Sequence, residues 1–350
     1  MLGVSIVSYT VRSSEKTRKS GADGETKALL YLMNFRSDSS EIHYYIVDFF
    51  NDLTGMDRFS INLWDVQSKA AKNNSPKAIG KELVTLFKNY LSEFEFSHYI
   101  LFIGGVTGTL RVDSALNSFD ISNITNAAMI KLIEGLKEEA WEKTYIANND
   151  ITDKNISDFL KKVLFVIDDK EPSEYVKAII KNHPGIIPEK QILDAIFNEL
   201  REEQSGKKNS KVEGITIQTT DEALNFCRHL TSNEIRLFVL QRIINRNPVD
   251  KGVPTPFIPI YNTWAPEHQK DMLDECKQSL CRALFNKNAA NAFWSLFESI
   301  YNTIIAHPQY DVQQIYLSID SSVKSASPDF DILSLKYFIA VVKEGVQDEN

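Results

Sequence analysis

The chain has 350 residues, 43% of them hydrophobic, and a net charge of −8 at neutral pH. This composition excludes a disordered or fibrous chain, and the length leaves room for two globular domains. The acidic charge excludes a general affinity for nucleic acid, because DNA binding relies on clustered Lys and Arg side chains. No apolar run reaches the roughly 18 residues of a membrane span, and the first residues do not resemble a signal peptide, so we expect a cytoplasmic protein.

The first part of the chain alternates helix-like and strand-like patterns. Apolar side chains over residues 27–35 predict a buried helix with Glu25 at its start. Residues 42–53 are rich in Tyr, Ile, Val and Phe and predict a strand, and a second strand is predicted over residues 60–70. Between them, residues 53–57 are expected to form a turn, because their glycine tolerates backbone angles that other residues avoid.

Two further elements complete the predicted core. Ser75 is expected to cap a helix that starts at Pro76 and ends at Leu91. Residues 97–104 are almost all apolar and predict a strand that is buried on both faces. The order helix, strand, strand, helix, strand is typical of an α/β domain.

The remainder of the chain is mostly helical in pattern. Helices are expected over residues 126–141, 156–162, 173–181 and 188–203, with a strand over residues 163–168. The polar run 204–211 lacks apolar residues and is interpreted as a linker. Beyond it, helical patterns recur without a comparable strand-rich run. We therefore predict an α/β domain over residues 1–211 and a mostly α-helical domain over residues 212–350.

Side chains suited to phosphodiester hydrolysis lie on the second predicted strand. Asp65, Gln67 and Lys69 alternate along it and therefore project from one face of the sheet. Hydrolysis uses a divalent cation with oxygen ligands and gains from a fixed positive charge near the phosphate. Folding back of the first strand brings Asp52 toward Gln67, although a different register brings Asp57 there instead.

These residues resemble the motifs of a known superfamily. Glu25, followed by Asp52 and then by QSK at 67–69, is similar to the PD-(D/E)xK superfamily in its QxK variant. More narrowly, GADGE at 21–25 with WDVQSK at 64–69 resembles the nuclease domain of CBASS effectors, in which a SAVED domain senses a cyclic oligonucleotide. The same nuclease type occurs as the effector subunit of Lamassu-like, SMC-linked anti-phage systems. The C-terminal region is too short and too helical for a two-lobed SAVED sensor, which favours the Lamassu-like type.

The resemblance has consequences for fold, chemistry and partners. It implies a restriction-endonuclease-like N-terminal domain that cleaves double-stranded DNA with Mg²⁺, or with Mn²⁺ as a substitute. It implies Glu25, Asp52, Gln67 and Lys69 as catalytic residues and the first three as metal ligands. It also implies that an SMC-like ATPase and an accessory subunit of the same defence system are partners.

The predicted helical domain carries aromatic residues at helical spacing. They are Phe293, Trp294, Phe297 and Tyr301. Core packing accounts for most of them, but a helical region without catalytic motifs is also suited to bind an inhibitory partner at rest and a second copy when released. We therefore expect a homo-oligomer.

Each site residue also has a structural interpretation. Glu25 is consistent with an acidic residue at a helix N-terminus, and Lys69 with an edge-strand lysine that discourages aggregation. Asp52 and Asp57 are both consistent with turn residues, and Trp64 is expected to pack in the core. The rival function is a non-catalytic scaffold with a nuclease fold, because glutamine is a weaker cation ligand than the usual glutamate.

Contact with DNA must be local in so acidic a chain. Basic residues do cluster around the predicted site, namely Arg12, Lys16, Arg18, Lys19, Lys69, Lys72, Lys77 and Lys81. A solvated charged surface accounts for them equally well. Asp168 and Asp169 end a predicted strand and are interpreted as its polar terminus rather than as a metal site.

Overall fold

The computed structural model describes residues 8–12, 19–180, 183–249 and 252–347. The chain divides into two compact units. The first unit is Met1–Tyr175 with Phe197–Ser232, and the second is Val176–Ile196 with Asn233–Asn350. This division differs from the predicted boundary at residue 211, since residues 212–232 belong to the first unit.

A seven-stranded mixed sheet forms the first unit. Its strands are β2 (Ile42–Val47), β3 (Leu53–Asp57), β4 (Leu63–Lys69), β5 (His98–Ile103), β6 (Ser118–Phe119), β7 (Val163–Ile167) and β9 (His229–Thr231), and a separate ribbon pairs β1 (Tyr9–Thr10) with β8 (Thr216–Ile217). The sheet order is β6-β7-β5-β4-β3-β2-β9. β2, β3 and β4 form an antiparallel meander, whereas β4, β5 and β7 run parallel. The near-complete burial of β4 and β5 is typical of strands covered on both faces.

Helices cover both faces of this sheet. They are α1 (Lys19–Asn34), α2 (Pro76–Glu82), α3 (Val84–Tyr90), α4 (Asn126–Glu142) and α5 (Asp153–Leu160). The next two helices, α6 (Pro172–Lys177) and α7 (Lys190–Gly206), are each divided between the two units. α1 packs against the face of β4 that carries Ser68, since a Cβ on Gly24 would lie 2.8 Å from Ser68 Oγ. α3 packs against the opposite face, where Thr85 contacts Gln67. The expected α/β architecture is therefore present.

The turn predicted over residues 53–57 is wrong, because these residues form β3. Gly55 lies inside the strand, where a Cβ would be 3.1 Å from Ile42 and 3.3 Å from Trp64. The glycine thus permits close packing rather than a turn. The chain instead reverses over residues 58–62, between β3 and β4.

Two other predicted segments differ in detail. The helix predicted from Pro76 to Leu91 is capped by Ser75 as expected, but it consists of the two short helices α2 and α3, which meet at Leu83. The polar run 204–211 is not a linker. It contains the end of α7 and a short 3₁₀ helix, Lys207–Asn209, and its Gln204 side chain is buried.

The second unit is helical in its described residues. Its further helices are α8 (Ser232–Ile243), α9 (Ile258–Tyr261), α10 (Pro266–Phe285), α11 (Ala290–Ala306), α12 (Val312–Ser318), α13 (Ser321–Ser325) and α14 (Ile332–Gln347). Phe293, Trp294 and Phe297 are buried on α11, and Tyr301 is half-buried, so these aromatic side chains form core rather than an open docking face. None of the described helices has the length and apolar character that crossing a bilayer requires.

Candidate active site

Asp52 and Gln67 contact each other at the start of β3. Asp52 precedes β3, and Leu53 pairs with Val66, which places Asp52 opposite Gln67. Gln67 Nε2 donates a hydrogen bond of 2.8 Å to Asp52 Oδ2, and the Ser68 amide donates one of 2.9 Å to the same oxygen. The expected approach of Asp52 to Gln67 is thus present, although the turn that produces it lies further along the chain.

Thr85 on α3 holds the other end of the Gln67 amide. Its hydroxyl donates a hydrogen bond of 2.6 Å to Gln67 Oε1, so both ends of this amide are engaged. The sequence analysis missed Thr85. The sequence contains a pattern that indicates it, because Thr85, Lys88 and Asn89 form a polar stripe at helical spacing on the otherwise apolar helix α3.

Lys69 follows on the same face of β4 as Gln67. Its Nζ lies 3.3 Å from Glu82 Oε2 at the end of α2, and both side chains are partly accessible to solvent. β4 is an interior strand between β3 and β5, so the interpretation of Lys69 as an edge-strand lysine is wrong. The charge of Lys69 is therefore placed at the carboxyl end of a central strand, beside the Asp52–Gln67 pair.

Glu25 belongs to the helix on the other face of β4. It lies in the second turn of α1 rather than at the helix start. The interpretation of Glu25 as an acidic residue that interacts with the helix dipole at the N-terminus is therefore wrong. Its carboxylate forms an ion pair of 2.6 Å with Lys208, and both side chains are nearly buried. Glu25 is thus held by Lys208 on the α1 side of the sheet, whereas Asp52 and Gln67 contact each other directly.

Asp57 shapes the turn at the opposite end of β3. Its Oδ1 accepts hydrogen bonds from the amides of Ile61, at 2.7 Å, and Asn62, at 3.2 Å. β3 separates it from Asp52 by the length of the strand. Of the two aspartates, only Asp52 is in contact with Gln67.

Asp65 is the third member of the polar face of β4, and it is fully buried. Its Oδ2 accepts a hydrogen bond of 2.7 Å from Asn89 Nδ2. Burial raises the pKa of Asp65 to about 7, against the opposing effects of Asn89 and of the Lys88 charge. Burial in turn lowers the pKa of Lys88 to about 8, although the charge of Asp65 opposes this change. The two groups therefore form a buried acid–base pair behind the site.

We predict strong coupling between Asp65 and Lys88 in stability. Asp65→Asn and Lys88→Met should each lower the free energy of unfolding by about 3 kcal/mol, because each leaves an uncompensated buried charge. The double variant should be much closer to wild type, since it removes both charges. Urea denaturation of the four proteins at pH 7.5 measures this. Additive losses in the double variant would show that the two groups do not interact.

Other polar residues noted in the sequence have structural partners. Trp64 is buried, as expected, and its indole N–H donates to Asp38. Asp168 accepts hydrogen bonds from Lys27, at 2.7 Å, and from the Tyr175 hydroxyl, at 2.9 Å. These contacts support its interpretation as a polar strand terminus.

The basic residues around the site are only partly available to DNA. Lys77 and Lys81 form ion pairs with Glu138, and Lys72 is exposed. Lys16 and Arg18 lie outside the described residues, and nothing is described of the Lys19 side chain. Ion pairs therefore neutralise part of this basic cluster.

Metal-ligand chemistry at the site is sparse. Within the described ranges, no three His, Cys, Asp or Glu side chains form a cluster that could hold a metal ion. Asp52 and Gln67 together offer carboxylate and amide oxygens. This set fits Mg²⁺, which keeps several waters and binds proteins through one or two carboxylates together with substrate phosphates.

Comparisons of the chain with protein-family models, with curated proteins and with solved structures returned no match. Function is therefore inferred from the site and from the motifs of the sequence.

Proposed function

We propose that the protein is a metal-dependent DNA endonuclease whose site contains Asp52, Gln67, Lys69 and Glu25. The observation that supports this most is the 2.8 Å contact between Asp52 and Gln67, with Lys69 following on the same face of a central strand. A carboxylate, an amide oxygen and a lysine in this order are the groups that phosphodiester hydrolysis uses. Cleavage of plasmid DNA in the presence of Mg²⁺ tests the proposal.

Each residue has a definite role in this proposal. Mg²⁺ or Mn²⁺, bound by Asp52, Gln67 and Glu25, supplies charge stabilisation and an activated water. Lys69 places a positive charge beside the phosphate. Thr85 positions Gln67, and because a hydroxyl accepts as readily as it donates, the amide can present its oxygen to a cation and keep this partner.

The biological setting is proposed from the sequence resemblance. The PD-(D/E)xK-like motifs and the helical second unit support an effector nuclease of a Lamassu-type anti-phage system. In that setting the substrate is double-stranded DNA, and an SMC-like ATPase and an accessory subunit are the partners. Restraint by partners is needed, because an uncontrolled nuclease in the cytoplasm destroys host DNA.

A non-catalytic scaffold is the second candidate, and specific contacts favour it. Gln67 presents its amide nitrogen to Asp52, and Glu25 is neutralised by Lys208. In this arrangement each carboxylate has a protein partner, Gln67 for Asp52 and Lys208 for Glu25, and does not require a cation. Linkage between metal binding and stability separates the two candidates.

We predict that cleavage depends on assembly. One site of this type hydrolyses one strand, so a double-strand break requires two sites held at the spacing of the two backbones. The rate should rise more steeply than linearly with protein concentration below the assembly threshold, as it does for activity that belongs to an oligomer. Light scattering combined with a cleavage titration measures this, and a strict monomer that makes double-strand breaks at full rate would contradict it.

A further inference from the structure

A cavity of about 360 Å³ lies in the first unit, and neither Asp52 nor Gln67 lines it. It is bounded by β1, by the end of α3 and by residues 145–150. The side chains that carry its chemistry are Tyr9, Arg12, Lys88, Glu93, Tyr145 and Asp150. Its volume lies within the range of small-molecule sites in proteins, which begins at about 300 Å³.

Two cations share this cavity. Lys88 lies deep in it, with its Nζ 3.1 Å from the Phe50 carbonyl oxygen and 5.4 Å from the centre of the Tyr9 ring. Arg12 is exposed at the rim. Burial lowers the pKa of Lys88, the charge of Asp65 opposes this change, and the charge of Arg12 adds to it. Lys88 is paired electrostatically with the buried Asp65, whereas Arg12 forms no ion pair with a carboxylate among the described residues. The lining also holds the carboxylates of Glu93 and Asp150, so an anion is favoured locally, between Arg12 and Lys88, and not by the net charge of the cavity.

The rest of the lining indicates what the anion is attached to. Tyr9 and Tyr145 supply aromatic surface, and Leu91 and Ile146 supply apolar surface. Glu93 accepts a hydrogen bond of 2.7 Å from the Ser8 amide, which leaves its other oxygen for a ligand donor. Such a lining suits an organic molecule with hydroxyl or amino groups better than a bare inorganic ion.

We propose that this cavity binds a small phosphate monoester, with its phosphate between Lys88 and Arg12 and its organic part against Tyr9 and Tyr145.

The cavity is connected to the candidate active site through one carbonyl group. The Phe50 oxygen accepts hydrogen bonds from the Tyr9 hydroxyl, from Lys88 and from Asn89, at 3.1, 3.1 and 3.3 Å. Phe50 is two residues before Asp52. A phosphate that draws Lys88 away from this carbonyl thus alters the support of the Asp52 loop. This connection rests on the proposed nuclease function, whereas ligand binding itself does not.

Calorimetric titration with AMP tests the proposal on the full chain, without DNA or metal. AMP should bind once per chain, and adenosine should bind much more weakly because it lacks the phosphate. Arg12→Ala should weaken AMP binding about tenfold, since it removes a charge-assisted contact, and Arg12→Lys should restore part of it. Arg58→Ala is the matched control, because Arg58 is also exposed in this unit but does not line the cavity.

A second variant tests the cavity without removing charge. Ala147 is exposed at the rim, so Ala147→Trp should fold normally and obstruct AMP. Binding is measured at constant ionic strength to remove general screening. Absence of AMP binding, equal affinity of Arg12→Ala and Arg58→Ala, or equal binding of adenosine and AMP would each overturn the proposal. Any of these results leaves the nuclease proposal untouched.

Discussion

Lys69→Ala is expected to lower the rate of plasmid cleavage about a hundredfold or more, because it removes the fixed positive charge beside the phosphate. The fold should be retained. Lys69 ends β4, and its partner Glu82 is more than a third accessible at 35%, so the loss of this ion pair should cost less than about 1 kcal/mol. A time course on supercoiled plasmid with Mg²⁺ measures the rate, and thermal unfolding checks the fold.

Lys72→Ala is the matched control for this variant. Lys72 lies three residues further along the chain and is exposed, so its removal subtracts the same charge from the same region. Its effect should be limited to weaker DNA binding at low salt. Equal cleavage by wild type and Lys69→Ala, compared in the same oligomeric form, would exclude this active site. An equal loss in both lysine variants would assign the effect to general electrostatics.

Local sequence patterns predicted the Asp52–Gln67 contact better than the turn that makes it. The contact follows from strand parity, which survives an error in the position of the turn. Gly55 misled because glycine also occurs where backbone packs closely, as it does here against Ile42 and Trp64. The real turn contains the exposed apolar residues Phe59 and Ile61, which look like strand in the sequence.

Long-range pairs were not predictable from these patterns. Lys208 neutralises Glu25 from a segment that has no apolar residues and was interpreted as a linker. No local spacing connects two residues so far apart in the chain. The break of the helix at Leu83 was also hidden, because buried apolar residues continue through it from Ile79 to Phe87. Tertiary packing determined both features.

Asp52→Asn is expected to abolish the stabilisation of the protein by Mg²⁺ or Mn²⁺. If the wild-type protein binds the metal ion, a free metal concentration of about a hundred times the dissociation constant raises the free energy of unfolding by about 2.7 kcal/mol. Asparagine has the same shape and still accepts a hydrogen bond from the Ser68 amide, so the metal-free variant should remain folded. It lacks the negative charge that a hard cation requires.

Asp57→Asn tests whether Asp52 or Asp57 is the metal ligand, a choice that the sequence left open. Asparagine can still accept the turn hydrogen bonds from Ile61 and Asn62, so this variant should fold and respond to metal as wild type does. Thermal unfolding of the three proteins with and without Mn²⁺, followed by plasmid cleavage, gives both readouts. Loss of the metal response in Asp57→Asn alone would transfer the ligand role to Asp57. A wild-type protein that neither responds to metal nor cleaves DNA would favour the scaffold, in which Gln67 and Lys208 satisfy Asp52 and Glu25 without a cation.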